Sequence, residues 1–180
     1  IAIGHYSLKC TTSGQGNIGV GYGTLRQNCT GNFNIAMGPI NLVNNCSGCF
    51  NIAMGSCVLP NNVGGHNNIA LGRYSLKYNT NGHCNIALGK YSGCAITTGC
   101  NNTIIGPYAG YTSLHNTIAI KAGCNTLKVD ATGYLTVNGA SVGGVSLNNY
   151  CSLMIGGGSP VGCTNIGIGY HILGHLCSPY

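Results

Sequence analysis

Three observations predict an all-β fold, a parallel β-roll or β-solenoid built from 17-residue coils. First, isoleucine recurs at a constant step of 17 residues, at Ile1, Ile18, Ile35, Ile52, Ile69 and Ile86, with Thr103 in the same column. Glycine keeps that step at Gly4, Gly21, Gly38, Gly55, Gly72, Gly89 and Gly106. Asparagine keeps it at Asn17, Asn34, Asn51, Asn68, Asn85 and Asn102. A fixed period of this kind marks a chain in which each repeat is one coil stacked on the last. Second, apolar residues alternate within each repeat at period two, the period of a strand. Third, the fixed glycines and the Asn and Thr clusters leave no uninterrupted stretch of useful length for a helix.

Numbering columns from Ile1, columns one to three (Ile69-Ala-Leu71, for example) form a short strand. Column two is Ala2, Gly19, Ala36, Ala53, Ala70 and Ala87. So small a residue must lie against something close, either the opposite wall of a narrow coil or another subunit. The column-four glycine implies a corner with φ > 0, or a backbone approach with no room for Cβ. Columns six and eight, Tyr6 and Leu8 or Tyr74 and Leu76, are expected to form a second short strand with the same parity. A second glycine column, Gly14, Gly31, Gly48, Gly65, Gly82 and Gly99, is expected to close the second turn. The column-seventeen asparagine fits either an amide ladder along the axis or a turn residue tolerant of αL. Its constancy, with no Asp, Ser or Gly in its place, favours the ladder.

The period breaks after Gly106. Asn116-Thr-Ile-Ala-Ile120 repeats the strand early, and Lys121 replaces the corner glycine. Leu127–Val137 reads as two strands about an Asp130–Gly133 turn. The expected organisation is therefore a seven-coil roll over 1–120, a β-hairpin connector over 121–144, and the start of a second, less regular roll over 145–180. The chain opens in column one of a repeat and the repeat restarts at Asn165, so it is expected to be a piece of a longer protein.

One coil supplies about three or four apolar side chains, each worth about 1.5–3 kcal/mol when fully buried. Ordering its residues costs roughly 1.5 kcal/mol apiece. A lone coil cannot fold, stacking helps, and association of several rolls helps more. The fold is accordingly expected to be intertwined or packed as a homotrimer.

Composition narrows the function. Of 180 residues only 4% are charged, with seven Lys plus Arg against one acid, Asp130, for a formal net charge of +6. The basic residues are scattered, with no run suited to nucleic acid. No apolar stretch is long enough for a membrane-spanning helix. One acid excludes paired-carboxylate catalysis and a hard-cation site. A Ser-His-Asp set would need Asp130, which sits in the expected turn. The glycine runs at 19–23 and 156–158 have no helix after them to cradle a phosphate. The threonines keep no register that would suit an ice-binding array. The chain is expected not to be an enzyme and to carry no cofactor.

Twelve cysteines are spread over many columns, as small apolar fillers. Cys29 and Cys46 share a column, and neighbouring coils lie about 4.8 Å apart, within reach of a disulfide. Cys46-Ser-Gly-Cys49 alone is too few ligands for zinc. His66 and His83 share a column in adjacent coils. In a trimer that column is a weak candidate metal site on the axis, against the plainer reading of exposed turn histidines. Lys9, Arg26 and Lys77 share column nine, Arg73 and Lys90 column five, and Tyr6, Tyr74, Tyr91 and Tyr108 column six. Basic residues beside tyrosines suit an anionic glycan. They equally suit a soluble, protected edge.

Asn34-Ile-Ala-Met-Gly38, Asn68-Ile-Ala-Leu-Gly72 and Asn102-Thr-Ile-Ile-Gly106 resemble the Asn-Thr-Ala-Ile-Gly repeats of phage and large-virus tail fibres. They are also similar to the head repeats of trimeric autotransporter adhesins, although those repeats are usually shorter. The resemblance implies parallel β-rolls assembled as homotrimers. Leu127–Gly144 resembles the connector that follows such repeats in fibres ending in a self-cleaving chaperone domain. The expected function is a structural shaft segment of a viral or phage fibre, at the virion surface, contributing to host attachment through cell-surface glycans. The alternative is a microbial cell-surface adhesin or extracellular filament subunit. Neither nucleic-acid binding nor membrane insertion is expected.

Overall fold

Each coil contributes one short strand, and the strands stack in parallel. A computed structural model of the chain describes residues 1–138, 140–141, 153–155 and 166–168. The stacked strands are β1 (Ala2–Ile3), β2 (Ile18–Val20), β3 (Ile35–Met37), β4 (Ile52–Met54), β5 (Ile69–Leu71), β6 (Ile86–Leu88), β7 (Thr103–Ile105) and β8 (Ile118–Ala122). Neighbours pair parallel in the repeat's own register, with Ile18 opposite Ile35, Ile35 opposite Ile52 and Ile69 opposite Ile86. The last coil is two residues shorter, so Thr103 lies opposite Ile118. The architecture is thus an all-β parallel solenoid of 17-residue coils, with no helix among the described residues.

Beyond β8 the sheet turns antiparallel. β9 (Asn125–Val129) pairs with β8, then β10 (Leu135–Val137) with β9 and β11 (Ala140–Ser141) with β10. Between β9 and β10 the chain turns on Asp130, whose carboxylate accepts from the Thr132 amide at 3.0 Å and the Tyr134 amide at 3.3 Å. β12 (Leu153–Ile155) and β13 (Ile166–Ile168) form a separate antiparallel pair. Most of the second roll expected over 145–180 lies outside the described residues.

Columns six and eight do not form the second strand expected of them. In the first six coils both columns take positive φ, as at Tyr74 (61°) and Leu76 (48°). Strand geometry needs strongly negative φ, so the chain bends here. The bend also puts the two columns, expected to share one parity, on opposite sides. Leu25, Leu42, Leu59 and Leu76 are fully buried, while Tyr6 and Tyr91 are 39% and 41% exposed. Leucine and tyrosine rarely enter this region. They are held there by main-chain bonds to neighbouring coils, such as Leu25 N to Asn41 O at 3.0 Å and Tyr74 N to Ser56 O at 3.1 Å.

The two glycine columns serve different needs. Column four has φ between 86° and 136°, and a Cβ on Gly21 would stand 2.8 Å from the Gly38 carbonyl oxygen. Column fourteen has no positive φ. There a Cβ would strike the next coil's glycine carbonyl and a buried asparagine, as Gly31 would meet the Asn45 amide nitrogen at 2.6 Å. Space, not backbone freedom, requires glycine at that turn.

The core is narrow and half polar. Ala36, Ala53, Ala70 and Ala87 are fully buried within the single chain. A Cβ on Gly19 would touch Ser7 Oγ at 2.5 Å and Thr24 Oγ1 at 2.9 Å, so column two faces the coil's opposite wall. The column-seventeen ladder is present. Asn51 and Asn68 each donate a side-chain amide to the preceding Asn Oδ1 at 3.1 Å, and a second proton to a glycine carbonyl at 2.8 Å. Each of these Oδ1 atoms also accepts the backbone N–H of the asparagine in the following coil, as Asn34 Oδ1 does from Asn51. Every polar atom of such a buried amide is satisfied, which is what makes its burial tolerable. A second ladder, Asn28–Asn45–Asn62–Asn79 in column eleven, runs parallel to it with rungs of 2.7–2.8 Å.

Candidate functional site

With glycine or alanine turned inward in β2 to β6, the larger residues of those strands turn outward. Columns one and three share one face of the sheet, since alternate strand positions point the same way, and column sixteen, which precedes the strand at positive φ, adds exposed rings beside it. On coils two to four this surface carries Phe33, Ile35 and Met37, then Phe50, Ile52 and Met54. Phe33 and Phe50 are 54% and 56% exposed, and their rings stack at 5.3 Å. The apolar rows continue through Ile86, Ile105, Ile118 and Ile120, all exposed. A contiguous apolar face of this kind marks an interaction surface.

A second surface follows from the bend. The turn at columns five to ten pushes tyrosines and basic residues outward together. Lys9 lies 4.7 Å over the Tyr6 ring. On coils five and six, Arg73 lies 4.6 Å over Tyr74, Lys77 sits 5.0 Å from Tyr74 and 4.9 Å from Tyr78, and Lys90 lies 5.3 Å over Tyr91. Tyr74 and Tyr91 stack at 5.2 Å. Hydrogen bonding to Tyr78, then its charge, raises the Lys77 ammonium above its ordinary value. Among the described residues none of these cations has a carboxylate partner, because the only acidic side chain, Asp130, is in the hairpin turn. The surface is therefore an uncompensated positive, aromatic one.

Coil two breaks this pattern. Its column six is Gly23, where the coils on either side carry Tyr6 and Ile40. The missing side chain leaves a hollow of about 310 Å³ lined by Tyr6, Tyr22, Gly23, Arg26, Ile40 and Val43.

The third feature is column fifteen, where His66 and His83 stack at 5.2 Å with ring planes 9° apart. The shortened last coil brings His115 into the same row, which reading at a constant period misses. Each imidazole Nδ1 accepts a backbone N–H from the preceding coil: His66 from Cys49 at 2.9 Å, His83 from His66 at 3.0 Å, and His115 from Cys100 at 3.0 Å. In the same column Asn32 Oδ1 and the sulfurs of Cys49 and Cys100 accept likewise. An Nδ1 acceptor puts the neutral ring's proton on Nε2. Metal ligation at Nε2 would drive that proton to Nδ1 and cost the backbone bond. Among the described residues no three His, Cys, Asp or Glu side chains gather around a point suited to a metal ion.

Cys29 and Cys46 lie in one column of adjacent coils as free thiols. A side-chain hydrogen bond with Cys46, then burial, pushes the Cys29 thiol up from its ordinary value. Burial does the same to Cys94.

Comparison with family models, with characterised proteins and with solved structures finds no match to this chain.

Proposed function

We propose that the chain is a shaft segment of a viral or phage fibre, assembled as a homotrimer about its outward apolar face. The observation that carries this reading is the polarity of the strands. In β2 to β6 the middle residue, Gly or Ala, is buried, and the Ile, Val, Met and Leu on either side of it point outward. An isolated roll would present that face to water, at a cost that grows with every coil. Copies that share the face remove it from water together, and a closed ring of them leaves no sticky edge.

The coil interior suits a load-bearing shaft. Paired amide ladders and main-chain bonds between coils run along the axis, so extension would have to break many bonds at once. The exposed basic and tyrosine side chains supply points of contact for host glycans without burdening the core.

Sedimentation or light scattering without cross-linker tests the assembly, with a trimer mass expected. Negative-stain images are expected to show stiff rods that resist protease. A stable monomer would overturn the shaft reading.

A further inference from the structure

We propose that the hollow at Gly23 is a binding site for an acidic monosaccharide unit, a pyranose bearing a carboxylate. The inference rests on the shaft reading only for where such a sugar would come from. Its own support is shape, wall chemistry and charge.

The shape follows from one residue. Column six carries Tyr6, Ile40, Cys57, Tyr74 and Tyr91 in other coils, and only coil two of the first six has glycine there. A Cβ on Gly23 would meet nothing within 4 Å. The hollow of about 310 Å³ is at the small end of ligand sites, a size suited to one sugar ring.

The walls suit a pyranose. Tyr6 and Tyr22 meet edge to face, with centroids 6.0 Å apart and planes 68° apart, and form an angled aromatic corner. His5 packs on both rings, at 3.7 and 5.8 Å, and holds the corner in place. A sugar's C–H face packs on such rings while its hydroxyls reach the phenol oxygens and water. Ile40 and Val43 close the apolar side.

The charge selects an acidic sugar. Arg26 lines the hollow, Lys9 lies 4.7 Å over the ring of the wall residue Tyr6, and the single acid of the chain is in the distant hairpin turn. A neutral or apolar occupant would desolvate the guanidinium with no counter-charge. A carboxylate can accept two parallel N–H bonds from it.

The test is an NMR titration of the isotope-labelled full chain with glucuronic acid, and with glucose as the neutral counterpart. Glucuronic acid is expected to shift the Gly23 and Arg26 amides and to saturate with a Kd on the order of 1 mM, with glucose at least tenfold weaker. Gly23→Tyr should abolish binding. The backbone accepts it, because Gly23 has φ 65° and Tyr6, Tyr74 and Tyr91 occupy the same column at 61–62°. Arg26→Gln should lower glucuronic acid to the level of glucose, and it decides the matter if the tyrosine variant does not fold. Equal saturation by glucose, or wild-type affinity in Arg26→Gln or in a folded Gly23→Tyr, would overturn the site. Mass measured on the same samples separates the two readings. A trimer that fails to bind glucuronic acid sinks the site alone, and a monomer that binds it sinks the shaft alone.

Discussion

Asn79 donates its side-chain amide to Asn62 Oδ1 at 2.8 Å, yet its own buried Oδ1 accepts nothing. The reason is the next coil, where column eleven changes to Ile96 and the ladder stops. At the other end Thr11 occupies the column, and its Oγ1 is the other unpartnered buried side-chain atom among the described residues. Both defects sit at the ends of one ladder.

That asymmetry orders two substitutions. Asn62→Ala would strand Asn45 Oδ1 and one amide proton of Asn79, while Gly65 O keeps its bond from Asn51. Asn79→Ala would strand only Asn62 Oδ1 and would remove an oxygen already unsatisfied. At about 1–3 kcal/mol per buried orphan, the expected losses are about 3 kcal/mol for Asn62→Ala and about 1 kcal/mol for Asn79→Ala. Urea denaturation measures both, and the reverse order would refute the account.

Space and backbone conformation make opposite demands at Gly82 and Gly23. Gly82→Ala would drive a Cβ into Gly99 O and Asn79 Oδ1, although its φ is ordinary. Gly23→Ala, at φ 65°, meets open space. Gly82→Ala is expected to cost about 3 kcal/mol or more, and Gly23→Ala about 1 kcal/mol. Thermal midpoints of the pair settle it. A judgement from φ alone would rank them the other way.

Column fifteen requires an acceptor, whatever residue supplies it. His66→Asn should be nearly neutral, because Asn32 already accepts the Gln15 N–H at 2.7 Å in that column. His66→Leu strands the Cys49 N–H and should cost about 1 kcal/mol. Amide exchange at Cys49 is the direct readout, faster only in the leucine variant. Equal protection in both would show that the imidazole bond contributes nothing.

These cases show what could be read from residue order. The column-seventeen ladder was legible because Asn17 through Asn102 never vary. Column eleven was not, because Thr11 and Ile96 interrupt it at both ends and hide four amides in register. Tyr74 and Leu76 carry the spacing of a strand, and spacing alone does not reveal that both take positive φ. Period two also separates two faces without saying which is inside, and only the full burial of Ala53 shows that its side fills the coil while Ile52 and Met54 face out. His115 escaped because a coil shortened by two residues shifts every later column.

Asp130 makes the hairpin turn sensitive to acid. The Thr132 hydroxyl bond, with help from the backbone N–H groups of Thr132 and Tyr134, outweighs burial and holds this carboxyl below its ordinary value. A folded value below the unfolded one stabilises the turn above the ordinary carboxylate range. That contribution is lost as pH falls through the lowered folded value. The Thr132 and Tyr134 amide resonances should therefore move on acidification with a midpoint below that of a free aspartate, and Asp130→Asn should flatten the curve. A midpoint at or above the free value would contradict the assignment.

The outward apolar face gives the sharpest test of assembly. Ile52 and Met54 lie on β4 and point away from Ala53, which is fully buried. In a single roll their side chains pack little of the core, so Ile52→Lys with Met54→Lys should leave coil stability within about 1 kcal/mol. Between copies the same lysines would be stripped of water with no acid to meet them, since the chain offers only Asp130. Several kcal/mol per buried ammonium is enough to dissociate the copies. The expected result is a β-rich monomer from the double variant and a trimer from the wild type, by sedimentation. A variant that keeps the trimer mass would place the interface elsewhere. A variant that unfolds would show the face to be part of the coil's own core, with Phe33 and Phe50 beside it the next positions to probe.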